Sequence, residues 1–289
     1  MRNFDISIYG NLIVDNVYEV DSFSDNSSNN IKNNYISLGA SANIIRELCS
    51  LNSKLHMSLN SQIGKDPNGN YCKTWIKNFN KLYLNCLHPF IETTKQETSS
   101  ALIVSKLNKN IRTSAVRWGA CQDMSNFTNH NSKWKHFMYI DKMYNLAEEQ
   151  LKKLSKSARI SVDFCLGNHS DKEISRLKSI LQHVDYAFIS EHEACSLTKE
   201  KSERIMALDL GSITKGVCIL HTPKASYTSN GETLSVIETD YIKEENLNVL
   251  GAGDVFSASF INEKLKDKKT DQCIQFAHEN TRKYLLKGR

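Results

Sequence analysis

Glycine and proline are scarce, at 12 and 3 of 289 residues, which excludes a collagen-like or linker-like chain. No apolar run approaches the ~20 residues of a membrane-spanning helix. The opening residues, Met1-Arg2-Asn3-Phe4-Asp5-Ile6, lack the apolar core of a signal peptide. None of the eight cysteines, at 49, 72, 86, 121, 165, 195, 218 and 273, forms a C-x-x-C pair. A chain of this size needs no disulfide staples, so the expectation is reduced, buried thiols and a cytoplasmic location. Glycosylation-type triplets starting at Asn26, Asn126 and Asn168 carry no meaning in that compartment. No G-x-x-x-x-G-K-[ST] pattern is present, which excludes a P-loop kinase, and His192-Glu193-Ala194-Cys195-Ser196 lacks the second histidine of a zincin helix. Charge of one sign is not concentrated either. Lys and Arg number 37 against 32 acids, a net charge of +5, interspersed along the chain. Neither a nucleic-acid nor a membrane partner is expected.

What is present is an ordinary globular mixture, 40% apolar and 24% charged. Strand-like runs at Ile6–Tyr9, Leu55–Ile63, Ala101–Ser105, Phe137–Ile140, Ile160–Phe164, Tyr186–Ser190 and Val217–His221 alternate with segments of helical period. The helices are placed at Ser41–Leu51, Asn70–Phe79, Leu146–Ser155, Ile174–Leu181, Glu191–Leu197, Asp254–Leu265 and Thr270–Leu286. This is the pattern of an α/β protein with a mainly parallel sheet, in which ligands sit at the carboxyl ends of the strands. Residues 12–37 and 91–120 break the alternation. Both read as parts of one small β-sheet, either a lid or an edge decoration, attached to a single domain spanning 1–289. The Asn-rich tract at 26–34 reads as a mobile loop.

The segment that carries chemistry is Leu250-Gly251-Ala252-Gly253-Asp254-Val255-Phe256. Two glycines and an acid open an apolar helix. Free backbone N–H groups and the positive end of the helix dipole make an anion cradle there. An acid beside a bound anion is either an N-cap or a base that takes a proton from a nucleophile attacking phosphorus.

In this setting the segment resembles the second signature of the ribokinase-like (PfkB) carbohydrate kinases. The other signatures follow in order. Gly10-Asn11-Leu12-Ile13-Val14-Asp15 is similar to the first strand with its substrate-binding acid, and Leu38-Gly39-Ala40-Ser41-Ala42-Asn43 to the GGxxxN segment. Ile63 to Gly69 resembles the G-x-D-x-x-G turn, Ser190-Glu191-His192-Glu193 the N-x-x-E motif, and Asp209-Leu210-Gly211 stands in for the T-x-G nucleotide segment. The resemblance implies a ribokinase-like fold, with a central, mostly parallel sheet flanked by helices and a small β-lid. It implies transfer of the γ-phosphoryl group of ATP to a hydroxymethyl group of a sugar or sugar-like molecule. Asp254 would be the general base, and Gly251, Ala252 and Gly253 the anion hole. Asp15, Asn11, Gly39 and Asn43 would hold substrate, while Gly211, Ser190 and His278 would meet the nucleotide. Glu193 would act on Mg²⁺ through water. ATP and Mg²⁺ are the implied cofactors, with room for a monovalent cation. A homodimer through the lid is in keeping with the family.

A carboxylate can accept two sugar hydroxyls and a carboxamide can both donate and accept, so the implied roles suit the residue types. Two alternatives stay open. A nucleoside kinase of the same superfamily would need a base-stacking aromatic, for which Tyr18, Phe23 and Trp118 are candidates. A non-catalytic sugar- or nucleotide-binding regulator is suggested by departures from the family pattern. Leu38 and Ser41 replace glycines, Ser190 replaces the Asn of N-x-x-E, and Asn248-Val249-Leu250 replaces Asp-Thr-Thr. Arg112 and Arg117, in the region of the small sheet, read either as surface charges or as contacts to an acidic or phosphorylated substrate.

Overall fold

A computed structural model describes residues 3–22, 28–106, 112–124, 127–146, 148–165, 170–240, 242, 247 and 249–287. The chain runs β1 (Phe4–Gly10), β2 (Leu12–Val20), β3 (Ile31–Ala40), α1 (Ser41–Leu51), β4 (Met57–Gly64), α2 (Pro67–Leu82) and β5 (Leu87–Thr94). It continues through β6 (Ser100–Lys106), β7 (Arg112–Arg117), β8 (Ser132–Met138), α3 (Glu148–Leu154), β9 (Arg159–Asp163), α4 (Asp171–Leu181) and β10 (Tyr186–Ser190). It ends with α5 (Glu191–Thr198), α6 (Glu203–Ile213), β11 (Val217–His221), β12 (Ala225–Ser229), β13 (Leu234–Glu238), α7 (Ala252–Lys264) and α8 (Thr270–Leu286).

Nine strands form the main sheet in the order β13-β12-β11-β10-β9-β8-β1-β4-β5. From β11 to β5 every pairing is parallel, and β12 and β13 close one edge as an antiparallel meander. After β1 the chain builds outward to β4 and β5, then returns to build the other side from β8. That reversal places a crevice at the carboxyl ends of the central strands.

Alternation along β1 divides the core. Ile6 and Ile8 join the cluster made with α1, α7 and α8, and Tyr9 joins the cluster made with α3, α4 and α6. Helix α1 forms because Ala42, Ile45 and Cys49, with Ile44 and Leu48, give one buried stripe at helical spacing. Helix α7 is buried over nearly its whole length, from Asp254 to Asn262, so the direction of its first turn is fixed by packing. Among the described residues no helix is long and apolar enough to cross a membrane.

Four strands form a second sheet in the order β3-β2-β6-β7. Its register sets Asp15 opposite Ser37 and Ala101, and Ala101 opposite Val116, so these side chains share one face. All four chain passages into this sheet lie at one end of it and are tied down. Ser41 N donates to Asn11 O at 3.1 Å, and Ala120 N to Glu97 O at 2.8 Å. Asp66, N-cap of α2, accepts from Gly69 N at 2.7 Å, Thr98 N at 2.7 Å and Thr98 Oγ1 at 2.8 Å. The G-x-D-x-x-G turn is therefore a tie between α2 and the root of the small sheet.

Several boundaries differ from expectation. Residues 91–94 belong to β5, the edge of the main sheet, and not to the small sheet, because β5 pairs in register with β4 from Leu87 to Thr94. Gly119–Asp123 form a short 3-10 turn. The polar tract that read as loop includes the first part of β3, which pairs with β2. Helix α6 and strands β12 and β13 were not anticipated. Asn26, Asn126 and Asn168 lie outside the described residues.

Candidate active site

Gly251 caps α7 with φ 84°, a left-handed conformation that glycine adopts without a Cβ clash. The first-turn N–H groups that follow have no partner inside the helix. At Gly253 an added Cβ would meet nothing nearer than His221 Cε1 at 3.9 Å, so the turn opens onto free space. That space is a cleft of about 340 Å³ between the small sheet and the carboxyl ends of the central strands.

Asp254 lines the cleft and is buried. Asn43 Nδ2 donates to its Oδ2 at 2.6 Å. Burial pushes the Asp254 carboxyl up to about 8, opposed by the Asn43 hydrogen bond and reinforced by Asp163 and Asp15. Asp15 comes from β2. Burial raises its pKa to about 7, against the pull of Arg46 and Arg112. Gly39 lies beneath it, where a Cβ would sit 2.4 Å from Asp15 Oδ2. The cleft therefore brings together Asp15, Gly39, Asn43, Gly251, Ala252, Gly253 and Asp254 from three separate stretches of sequence.

Another part of the lining is polar. Ser190 caps α5 in a capping box: Glu193 N donates to Ser190 Oγ at 3.4 Å, and Ser190 N to Glu193 Oε2 at 2.9 Å. Serine does here what asparagine does equally well at an N-cap, so this departure keeps the local fold. Burial raises Glu193 to about 7. Asp163, at the end of β9, was missed by sequence reasoning. Its Oδ1 accepts from Ser257 Oγ at 2.9 Å, and its Oδ2 lies 3.4 Å from His136 Nε2. The available signal was a carboxylate closing the apolar run Ile160-Ser161-Val162. Arg46 was also missed; it sits one helical turn beyond Asn43.

A second cleft, of about 600 Å³, begins on the far side of Gly253. His221, Thr222 and Pro223 at the β11–β12 turn line it, with His278 and Arg282 of α8. Ser190, Ala252, Gly253 and Arg112 line both clefts. His278 Nε2 is 2.9 Å from Ser226 Oγ, and burial lowers its pKa to about 4, so the ring is neutral at physiological pH.

Two expected residues are not on these walls. Asn11 is fully buried between β1 and β2 and lines neither cleft. Gly211 lies inside α6, where Met206, Ala207 and Leu210 supply a buried helical stripe. A Cβ on Gly211 would lie 2.7 Å from Gly231 N, so its smallness serves packing of α6 against the β12–β13 turn. The larger cleft is lined instead by the β11–β12 turn. Phe23 and Asn248 lie outside the described residues.

A family model described as pfkB family carbohydrate kinase matches residues 3–280. The chain belongs to the pfkB family. Over 160 residues it is 28% identical to a cytidine kinase of Thermococcus kodakarensis, covering 52% of this chain and 57% of that protein. The chain thus spans little more than half the length of that curated relative. The adenosine kinase of Schistosoma mansoni, solved in complex with 2-fluoroadenosine, is similar with TM-score 0.79 and 15% identity, covering 98% of this chain and 96% of that one. Ribokinase from Thermotoga maritima gives TM-score 0.73 and 16% identity, covering 96% of this chain and 91% of that one. The fold of this pfkB-family chain is ribokinase-like, with a large mostly parallel sheet and a small separate sheet.

Proposed function

We propose that the chain is an ATP-dependent kinase that phosphorylates a hydroxymethyl group of a ribose-bearing substrate, a nucleoside. The observation that carries this reading is the position of Asp254: it stands at the α7 N-terminus where the two clefts meet, with Asp15 and Asn43 on one side and Gly253 on the other. Asp15 and Asn43 would hold ribose hydroxyls. Asp254 would take the hydroxyl proton on Oδ1, since Oδ2 is occupied by Asn43. The α7 amides would receive charge developing on the transferred group.

The residues fit a nucleotide. The open turn at Gly253 leaves room for phosphate, and the larger cleft beyond it has the apolar and neutral-histidine lining that a purine needs. Mg²⁺, when bound, neutralises phosphate charge. Asp163 and Glu193 face that region and would hold it through water. Among the described residues no set of three His, Cys, Asp or Glu forms a metal cage, which suits an ion carried mainly by phosphates.

The nucleoside reading is supported by the apolar part of the cleft lining. Ile13, Ala101, Ile103, Val116 and Trp118 make an apolar panel from the inner face of the small sheet. Lys142 Nζ lies 5.1 Å from the Trp118 ring centre, and Tyr139 meets that ring edge-on at 6.0 Å. Such a panel suits a base and is wasted on a free sugar. The cytidine kinase relative supports the same choice. A free sugar is the second reading, favoured by the description of the family as carbohydrate kinases. The test is ADP release from Mg·ATP across nucleosides, pentoses, hexoses and sugar phosphates, with Asp254→Asn alongside. Turnover with a nucleoside, lost in the variant, is expected. Turnover restricted to free sugars overturns the nucleoside reading, and no turnover with any acceptor overturns the kinase.

A further inference from the structure

We infer that Arg46, outside every signature motif, is a positioning residue: it fixes the orientation of the Asn43 amide and thereby decides which face of that amide meets Asp254. The inference rests on the kinase reading above.

Arg46 lies three residues after Asn43 on α1, so the two side chains share a helix face. Its guanidinium sits over the Trp75 ring, 5.8 Å from the ring centre. From there it donates to Leu38 O and to Asn43 Oδ1. A guanidinium has only donors, whereas a carboxamide has an acceptor oxygen at one end and a donor nitrogen at the other. The atom of Asn43 that faces Arg46 must therefore be the oxygen. Its nitrogen must then face Asp254, as it does at 2.6 Å. The reversed amide would set two acceptors against each other, an arrangement stable only when Asp254 carries a proton. A protonated Asp254 cannot act as a base. Arg46 thus selects the amide orientation that goes with an ionised Asp254.

The surrounding charges make this selection necessary. Asp163 on β9 and Asp15 on β2 both oppose ionisation of Asp254, and Arg46 on α1 favours it. Glu193 on α5, Arg112 on β7, His221 on β11, and Tyr139 and Cys165 after β8 and β9 line the same cleft. Tyr284 on α8, Tyr71 on α2 and Asp15 face Arg46 itself. Arg46 touches the amide end that faces away from Asp254.

The test is a pH titration of the Asp254 carboxyl by ¹³C NMR in wild type and Arg46→Met, beside the pH dependence of kcat. Arg46→Met should raise the Asp254 midpoint by about one pH unit, the low end of the effect of a neighbouring opposite charge. The acidic limb of kcat should move up with it, while KM for Mg·ATP stays within about twofold. A midpoint unchanged from wild type, with activity reduced equally at every pH, overturns the proposal. The titration needs no turnover, so an inactive wild type would overturn the kinase reading while Arg46 is still judged by its effect on Asp254. If Arg46→Met does not fold, Arg46→Lys is titrated instead. It keeps the charge but not the planar guanidinium whose Nη2 donates to both Leu38 O and Asn43 Oδ1, so a smaller upward displacement is expected and an unchanged midpoint overturns the inference.

Discussion

A methyl group on Gly39 would lie 2.4 Å from Asp15 Oδ2, so the carboxylate on β2 occupies the space that glycine leaves on β3. Gly39→Ala should push Asp15 out of position without disturbing α7. A lost hydrogen bond to a charged group costs about 1.5–3 kcal/mol, or roughly ten- to a hundredfold in acceptor KM. Nucleotide affinity should stay as in wild type. Equal weakening of acceptor and nucleotide in calorimetry would remove Asp15 from the acceptor side.

Asp254→Asn keeps the shape of the side chain and abolishes the base. Turnover should fall by roughly 10²–10⁴. Circular dichroism and ATP binding should be unchanged. Turnover at the wild-type rate would mean that another group takes the proton.

Three carboxyls, Asp254, Asp15 and Glu193, have folded-state pKa values raised by burial to about 8, 7 and 7. A raised carboxyl binds more protons in the folded than in the unfolded chain, so stability falls as pH rises from the unfolded value through the folded one. Between about pH 7.5 and 8.5 the histidines of the unfolded chain are largely neutral and no longer offset this. The melting temperature of the ligand-free protein should therefore fall over that window, and Asp254→Asn should flatten the slope. A melting temperature that rises over the same window would contradict the arrangement.

Trp118 separates the two substrate readings. Base stacking on an aromatic is worth about 1–3 kcal/mol. Trp118→Ala should raise KM for a nucleoside by the corresponding five- to hundredfold, roughly, and leave KM for the matching free pentose unchanged. The same loss for both acceptors would show that Trp118 only supports the small sheet.

Ser190 is an N-cap before it is anything else. Ser190→Ala should cost about 1 kcal/mol in urea unfolding, whereas Ser190→Asn should cost almost nothing. Equal costs for the two variants would place its importance elsewhere.

The elements most legible in the sequence are those with a clean period. Ser41–Leu51, Thr270–Leu286 and Val217–His221 fall where the apolar spacing puts them. Helix α6 was hidden because Asp209-Leu210-Gly211 read as a stand-in for the T-x-G nucleotide segment, while Met206, Ala207 and Leu210 carried a helical stripe around it. β5 was assigned to the wrong sheet because Ile91-Glu92-Thr93-Thr94 alternates like any half-buried edge strand, and alternation does not name a partner. At the site, Asp15, Asn43 and Asp254 were legible because each sits in a short motif. Asp163 and Arg46 were not, because their meaning comes only from what folds against them: Ser257 and His136 in one case, Asn43 and Leu38 in the other.

The pinned root of the small sheet makes it a lever. Ser41, Ala120 and Thr98 hold one end, while Arg112 sits at the opposite end of β7 from Arg117, about 17 Å away at strand rise. A tilt of about 10° at the root would sweep Arg112 through about 3 Å, roughly the length of a hydrogen bond. That residue borders both clefts. Leverage would thus turn a slight pivot at the root into a several-ångström displacement of the Arg112 charge along the line where the two clefts meet.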